Sequence, residues 1–489
     1  MSAEPLQVIV ALIACGAAGA GLCLRATGPR YVAIGAGLLA ALALVAGQVW
    51  DQPRFEDLRS QPAVLVLAAI LAVTALGATA ATFVRNPAFF AIAAFAVIAL
   101  RLPVQVGSET NFLLVPLYGV IAGGWLRGIW LVSRKRGEEL QQRSSPQRDG
   151  PATVRWLCYA LAASLVVYAL GMAWTEDVDN AITIVAFFLT PFAALLAMLR
   201  DLSWHRKLVG QVLLATVLVA LAFSALAFVQ YATRELTFNK DLQDANQLHL
   251  YFRVNSVFRD PNVLGRTLVF AVVALGAWIA WRRPALQAMA GALAAAVILI
   301  ALSLTYSQTS FAALAPALGL IVWLRFGRYG LAGVVALLAV GLAAIALIEV
   351  PTDTAVDRDR DDLAEISSGR TSLISGGIDL FRYEPVIGQG SGGFAISFRR
   401  KVEEIERPIS HNEPVTVAAE QGLLGLVPYG AVLLLSGLVM FRPWPAGDPA
   451  RAGVAACFVA LVIHSLGYAG FAIDPATWAL LGLGMVLRE

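Results

Sequence analysis

Charge is what this chain has least of. Charged side chains occupy 14% of its 489 positions, where an ordinary soluble domain has about 25%. With 58% hydrophobic residues, a soluble globular fold would have no surface left to solvate. Histidine is nearly as scarce, with four in the whole chain, so imidazole chemistry has few candidates. The four cysteines, Cys15, Cys23, Cys158 and Cys457, all fall inside apolar runs, which excludes a disulfide framework and leaves them as small packing residues. A cleaved signal peptide is excluded by charge order: the first apolar run follows an acidic N-terminus and has arginines only after it.

What the chain has is spans. A bilayer-crossing helix needs about 20 apolar residues, and such runs recur from end to end. Candidate spans are Leu6–Leu24, Tyr31–Val49, Val64–Val84, Ala88–Leu102, Phe112–Val132, Val154–Ala173, Ala181–Leu199 and Leu208–Tyr231. They continue with Val263–Trp281, Leu286–Leu304, Thr309–Leu324, Leu331–Ile348, Val415–Phe441, Ala452–Ala469 and Pro475–Leu487. The expected fold is an all-α polytopic transmembrane bundle of about 13–15 spans.

Basic residues set the expected orientation. Arg25, Arg30, Arg134–Arg136, Arg143, Arg148, Arg200, Arg206, Lys207, Arg282, Arg283, Arg325, Arg328, Arg442 and Arg451 all fall on one side, with the polar stretch 137–150 among them as a flexible linker. That side reads as cytoplasmic. The acidic connection Trp174–Asn180 falls opposite, which places the N-terminus outside and the C-terminus inside. Two outer connections are long, 232–262 and 349–413, and long loops in compact proteins are usually functional. The expected division is therefore helices and an outer loop (232–262) over 1–349, a large outer loop over 350–413 in which chemistry is to be sought first, and helices again over 414–489.

The long loop opens on a mixed-charge run, Asp353 to Asp362, which lacks the glycine and glutamate spacing of a calcium loop and reads as a solvated connector. Arg370 then stands at the N-terminal edge of an amphipathic segment on which Leu373, Ile374, Ile378 and Phe381 share a face. The bland reading of Arg370 is a helix-end anchor. A glycine series follows, with Gly388 and Gly390 in a tight turn. It lacks the strand and helix of a nucleotide-binding fingerprint, and a turn beside a ligand fits it better. Ser410-His411-Asn412-Glu413-Pro414 leads into the next span, with Asn412 or Ser410 as N-cap and Pro414 in the first turn. His411 thus sits at a helix N-terminus that favours anions. Its bland reading is a structural interface histidine. In the other loop, Asp260 and Pro261 read as cap and first helical residue. Arg253, Arg259 and Arg266 cluster at one surface, Arg266 one turn inside the span, where a cation must be paired or face water.

Four segments in order resemble the O-antigen ligase and O-antigen polymerase superfamily. They are Arg253 to Gly265 (RVNSVFRDPNVLG), Thr305 to Phe311 (TYSQTSF), the arginine–helix–proline–glycine series of 369–394, and Ser410 to Gly425 (SHNEPVTVAAEQGLLG). The last is the most specific, and the resemblance covers the C-terminal half. It implies a metal-independent and cofactor-free transfer of a glycan from an undecaprenyl-diphosphate donor to a hydroxyl on a glycan, a glycolipid or another acceptor, at the outer face of a bacterial inner membrane, with no nucleic-acid partner. The residue types suit that chemistry. Arginines, Arg370 and Arg253 foremost with Arg259 and Arg266, can stabilise charge growing on a diphosphate. His411, with an ordinary pKa near 6.5, can take the acceptor's proton as general base, and attack opposite the leaving group inverts the anomeric centre. Asn412, Asn262, Gly388 and Gly390 are expected to support the site, Asn412 chiefly as the cap. The resemblance leaves ligation and polymerisation open. Two rivals stand beside it: a different membrane glycosyltransferase using Asp51, Glu56 or Asp57 as base, and a transporter or flippase, against which the nearly charge-free span centres argue.

Overall fold

A computed structural model describes residues 4–50, 60–106, 109–134, 151–236, 239–247, 251–281, 285–347, 370–402, 408 and 410–488. Asp51, Glu56, Asp57, the 353–362 charge run and the polar stretch 137–150 lie outside them. So does the side chain of Arg370, whose backbone opens a helix.

In chain order the helices are α1 (Pro5–Cys23), α2 (Thr27–Val49), α3 (Pro62–Arg85), α4 (Pro87–Val97), α5 (Val115–Ser133), α6 (Ala152–Gly171), α7 (Val178–Arg200), α8 (Arg206–Thr233) and α9 (Lys240–Gln247). They continue with α10 (Pro261–Ala280), α11 (Ala285–Ser303), α12 (Gln308–Leu347), α13 (Arg370–Tyr383), α14 (Phe394–Lys401), α15 (Glu413–Phe441), α16 (Pro449–Ser465) and α17 (Pro475–Arg488). Among the described residues, eleven helices are long and apolar enough to cross a membrane, and Pro87–Val97 and Pro449–Ser465 are shorter apolar helices. The molecule is a polytopic helical membrane protein. Its lipid-facing surface is apolar: on α3, Val66, Leu67, Ile70, Leu71 and Val73 are all more than half exposed.

The sequence reading needs correcting at two span ends. Leu102–Val106 (β1) pairs antiparallel with Glu109–Leu113 (β2), so the expected span Ala88–Leu102 stops at Val97 and Phe112–Val132 starts at Val115. The all-α expectation holds, and this two-stranded hairpin is a connection between two of its helices. The two expected spans 309–324 and 331–348 are two helical stretches of α12 that meet at Gly327, whose φ of 68° is not helical, and the second folds back so that Leu331 lies beside Gly319.

Local chemistry starts the helices where they must turn back into the bilayer. Proline opens α1, α3, α4, α10, α16 and α17, where its missing N–H costs nothing. Asn86, Asp177, Asp260, Asn412 and Asp448 accept hydrogen bonds from the first helical amides. Followed up and down, the helices sort the connections into two ends. At one, Arg30 pairs with Asp201, Arg200 donates to the Leu22 carbonyl and Arg325 to the Ala280 carbonyl. Arg25, Arg134, Arg206, Lys207, Arg328, Arg442 and Arg451 fall in or beside the connections at this end. The other carries 171–178, 251–262, 303–308, 383–394, 410–413 and 466–474. One apolar core joins α1, α2, α4 to α7, α15 and α17, and a second joins α8, α10, α11, α12 and α16. The candidate site residues lie over the seam between them.

Candidate active site

His411 is presented in a strained conformation. Its φ is +54°, uncommon for any residue with a Cβ, and such outliers persist only where the surroundings enforce them. The enforcement is visible on both sides. Asn412 caps α15 by accepting from Val415 N (3.1 Å), while its amide donates to the Leu466 carbonyl (2.9 Å). Ser410 Oγ accepts from Asn412 N (3.1 Å) and bonds Thr416 Oγ1. Glu413, buried at the first turn, accepts from the amides of Gly470 and Ala472. The N-terminus of α15 is thereby bolted to the 466–474 connection. The half-buried His411 ring meets Tyr468 there, centroids 6.1 Å apart.

Tyr468 is the hub of the site. Arg266 lies over its ring at 5.9 Å, and the buried His464 contacts it from behind, centroids 5.9 Å apart. Burial and the neighbouring Asp260 carboxylate push its phenol above the ordinary range. Arg266 is 4% exposed and forms an ion pair with Asp474. The pairing expected for an arginine at that depth is therefore present. Its Nη1 is buried with no hydrogen-bond partner among the described residues. Arg101, where α4 gives way to the hairpin, adds a second guanidinium. Burial lowers its pKa, Asp474 raises it and Arg266 lowers it, which puts all three within electrostatic reach of one another.

The expected arginines do not all converge. Arg266 reaches His411 through Tyr468. Arg253 lies on an adjoining ridge, its Nε donating to the Thr305 carbonyl (3.0 Å) and its backbone held by Asn246. Arg259 is exposed, and its fixed point is its carbonyl, which accepts from Asn239 (2.6 Å). Asn262 is buried and accepts from Ser307 Oγ (2.6 Å). Ser307 bonds Ser310 Oγ (2.8 Å), which lies 3.3 Å from His464 Nε2. This buried polar chain connects the T-Y-S break to the histidine behind Tyr468.

The glycine turn proves to be a structural brace. α15 is broken at Gly422 (φ 58°, ψ −153°), and a break inside a bilayer leaves backbone groups that must find partners. The segment Pro385–Gly390 supplies them. Leu423 N and Leu424 N donate to the Pro385 and Val386 carbonyls (2.8 and 3.0 Å), and Gln389 N and Gly390 N donate to the Ala419 and Glu420 carbonyls (2.9 Å each). The Glu420 carboxylate accepts from Gly392 N and Phe394 N (2.9 and 3.3 Å). A Cβ at Gly388 would lie 2.4 Å from the Glu420 backbone, so only glycine fits. The amides of Gly388, Gly390 and Gly392 are thus occupied within the protein and are not offered to an anion, contrary to the ligand-turn expectation. The same bonds account for the Glu-x-Gly pattern at 420–422.

Tyr468, Asp474, Arg101, His464 and the anchoring roles of Glu413 and Glu420 were missed in the sequence. A signal existed for two of them. Asp474 is the only acidic residue between Asp448 and Glu489, and Glu420 the only charge between Glu413 and Arg442. A lone charge in an apolar run is a functional pointer.

Residues 293–430 match the family model described as O-Antigen ligase. The match runs from α11 through the T-Y-S break, Arg370 and His411 to the broken part of α15. It supports the resemblance read from the sequence, of an O-antigen ligase or polymerase type of enzyme in a multi-pass membrane protein. No curated protein matches the chain.

Proposed function

We propose that this protein transfers a glycan from an undecaprenyl-diphosphate donor to an acceptor hydroxyl at the extracytoplasmic face of a bacterial inner membrane, as an O-antigen ligase. The observation that carries the reading is the strained presentation of His411, a residue of the matched domain, at a helix N-terminus and one tyrosine ring away from the buried Arg266. In this mechanism His411 takes the proton of the acceptor hydroxyl, and that oxygen bonds to the anomeric carbon. The anomeric carbon–oxygen bond breaks on the far side, so the centre inverts and the electron pair leaves on the diphosphate. Arg266 and Arg370, with Arg253 and Arg259 along the rim, stabilise the charge without a metal. The basic end faces the cytoplasm, and the loop 350–413 is the catalytic segment.

The test is direct. Purified protein incubated with a lipid-linked glycan should join it to a lipid A-core or other hydroxyl acceptor with inversion, at a rate unchanged by chelator. Extension of a second lipid-linked glycan instead would make the protein a polymerase. No transfer to any acceptor, or activity lost in chelator and restored by magnesium or manganese, would reject this mechanism.

Arg370→Lys should lower turnover about tenfold in a protein that folds normally, because an ammonium keeps the charge and loses the planar fork for a phosphate. Near-normal turnover in that variant would remove Arg370 from the site.

A further inference from the structure

Two tyrosines beside the candidate site are unexplained by the transfer chemistry. Tyr306 and Tyr251 stack with ring centroids 4.6 Å apart and planes 27° from parallel, and each is more than 40% exposed. Neither stands on a helix. Tyr306 is the turn residue between α11 and α12, and Tyr251 opens the segment that leads to α10. The two backbones are tied below the rings: Val254 N donates to the Leu304 carbonyl (3.2 Å) and Arg253 Nε to the Thr305 carbonyl (3.0 Å).

Tyr306 has a φ of +50°, a backbone conformation unfavourable for a bulky side chain. Glycine or asparagine would hold such a turn at lower cost. The neighbours fix it there all the same: Tyr306 N donates to the Ser303 carbonyl, and Ser307 N to Thr305 Oγ1. Strain held at one exposed aromatic residue points to a use for its ring. Ser307, the next residue, begins the polar chain to His464 and hence to Tyr468 and His411. The pair is therefore rigidly connected to the reaction centre.

We propose that Tyr306 and Tyr251 form a platform for a pyranose ring of the glycan being transferred. The proposal rests on the glycosyl-transfer reading and adds the subsite that grips the sugar. An exposed aromatic face is electron-rich, and the axial C–H groups on one face of a hexose are electron-poor. Stacking fixes the ring plane while leaving its hydroxyls to solvent. It is also tolerant of sugar identity, as an enzyme moving a long glycan requires away from the reacting residue. Arg253, on the same ridge, places a cation beside the platform. An interfacial anchor is the other use of exposed tyrosines in membranes. Anchors need neither mutual stacking nor a strained backbone.

Saturation-transfer NMR on the purified full-length protein, with methyl hexosides and N-acetylhexosaminides as probes, reads the platform without needing turnover. The wild type should transfer saturation to one face of the sugar ring. Tyr306→Gly, which suits the left-handed backbone and so spares the fold, should abolish the effect, as should Tyr251→Ala. Tyr306→Phe, which keeps the ring, should retain it. In the transfer assay Tyr306→Gly should raise KM for the glycan substrate about three- to tenfold, the size of one aromatic contact, and change kcat less than twofold. Sugar signals that persist in both ring-deleted variants, or that are absent in the wild type, overturn the platform. Saturation confined to lipid headgroups makes the pair an anchor and also overturns it. Sugar binding lost in both variants alongside no transfer by the wild type would keep the platform and reject the transferase reading.

Discussion

Replacing His411 by alanine is expected to cut glycan transfer at least about 10²-fold, the low end for losing a general base, while the lipid-linked donor still binds. The loss should fall on kcat. Arg266, Asp474 and Tyr468 hold one another without the imidazole, so the anion-binding side of the site survives the substitution. Alanine also leaves the cap intact, because Asn412, not His411, accepts from the first turn of α15 and donates to the Leu466 carbonyl. His411→Asn keeps a side chain that tolerates positive φ but has no basicity, and should be equally inactive. The wild-type rate should rise with pH as an imidazole loses its proton and then flatten, and that limb should vanish in the residual activity of both variants. His464 provides the control. It is buried behind Tyr468 and hydrogen-bonded to Ser310, so its loss should disturb stability first and leave the pH limb in place. Substantial transfer by folded, donor-bound His411→Ala protein would make His411 structural and put the base elsewhere.

Features encoded within a few residues were legible in the sequence. The spans follow from the length of apolar runs. The helix starts at Pro261 and Glu413 follow from an Asx cap and a proline in the first turn, and both caps are made as expected. The hairpin was not legible, because Leu102 and Phe112–Leu113 extend the flanking apolar runs. The site was half legible. His411 belongs to a local pattern, and the depth of Arg266 demanded a partner. The identity of that partner did not follow, because Asp474 lies some two hundred residues further on and reaches Arg266 only once α10 and α17 share one end of the bundle. Tyr468 and Arg101 were hidden for the same reason. The glycine series was read for its freedom to approach an anion, whereas its partner is the backbone of α15, which only the break at Gly422 makes available.

That break yields the second large effect. Gly422→Ala should destabilise the protein by several kcal/mol and abolish most transfer. The glycine has φ 58° and ψ −153°, a region open essentially to glycine alone, and forcing a side chain into it costs about 1–3 kcal/mol. A Cβ there would also lie 2.5 Å from the Val386 carbonyl oxygen and 2.8 Å from Gly388 N. These are backbone atoms in the very segment that pairs with Leu423 and Leu424, so neither can withdraw without breaking the brace. Overpacking of this kind adds about 1–3 kcal/mol. The alternative open to the variant is to straighten α15, which takes their partners from the Pro385 and Val386 carbonyls and the Gln389 and Gly390 amides and detaches the turn held by Glu420. The first turn of α15, with His411 at its mouth, would then lose its angle to the 466–474 connection. Gly430→Ala is the control on the same helix: it lies in open space with helical geometry, where alanine is favoured by about 1 kcal/mol. Thermal unfolding of the purified proteins, read beside transfer, separates the cases. A normal midpoint and normal turnover for Gly422→Ala would mean that α15 runs unbroken through this point, and the brace would have to be abandoned.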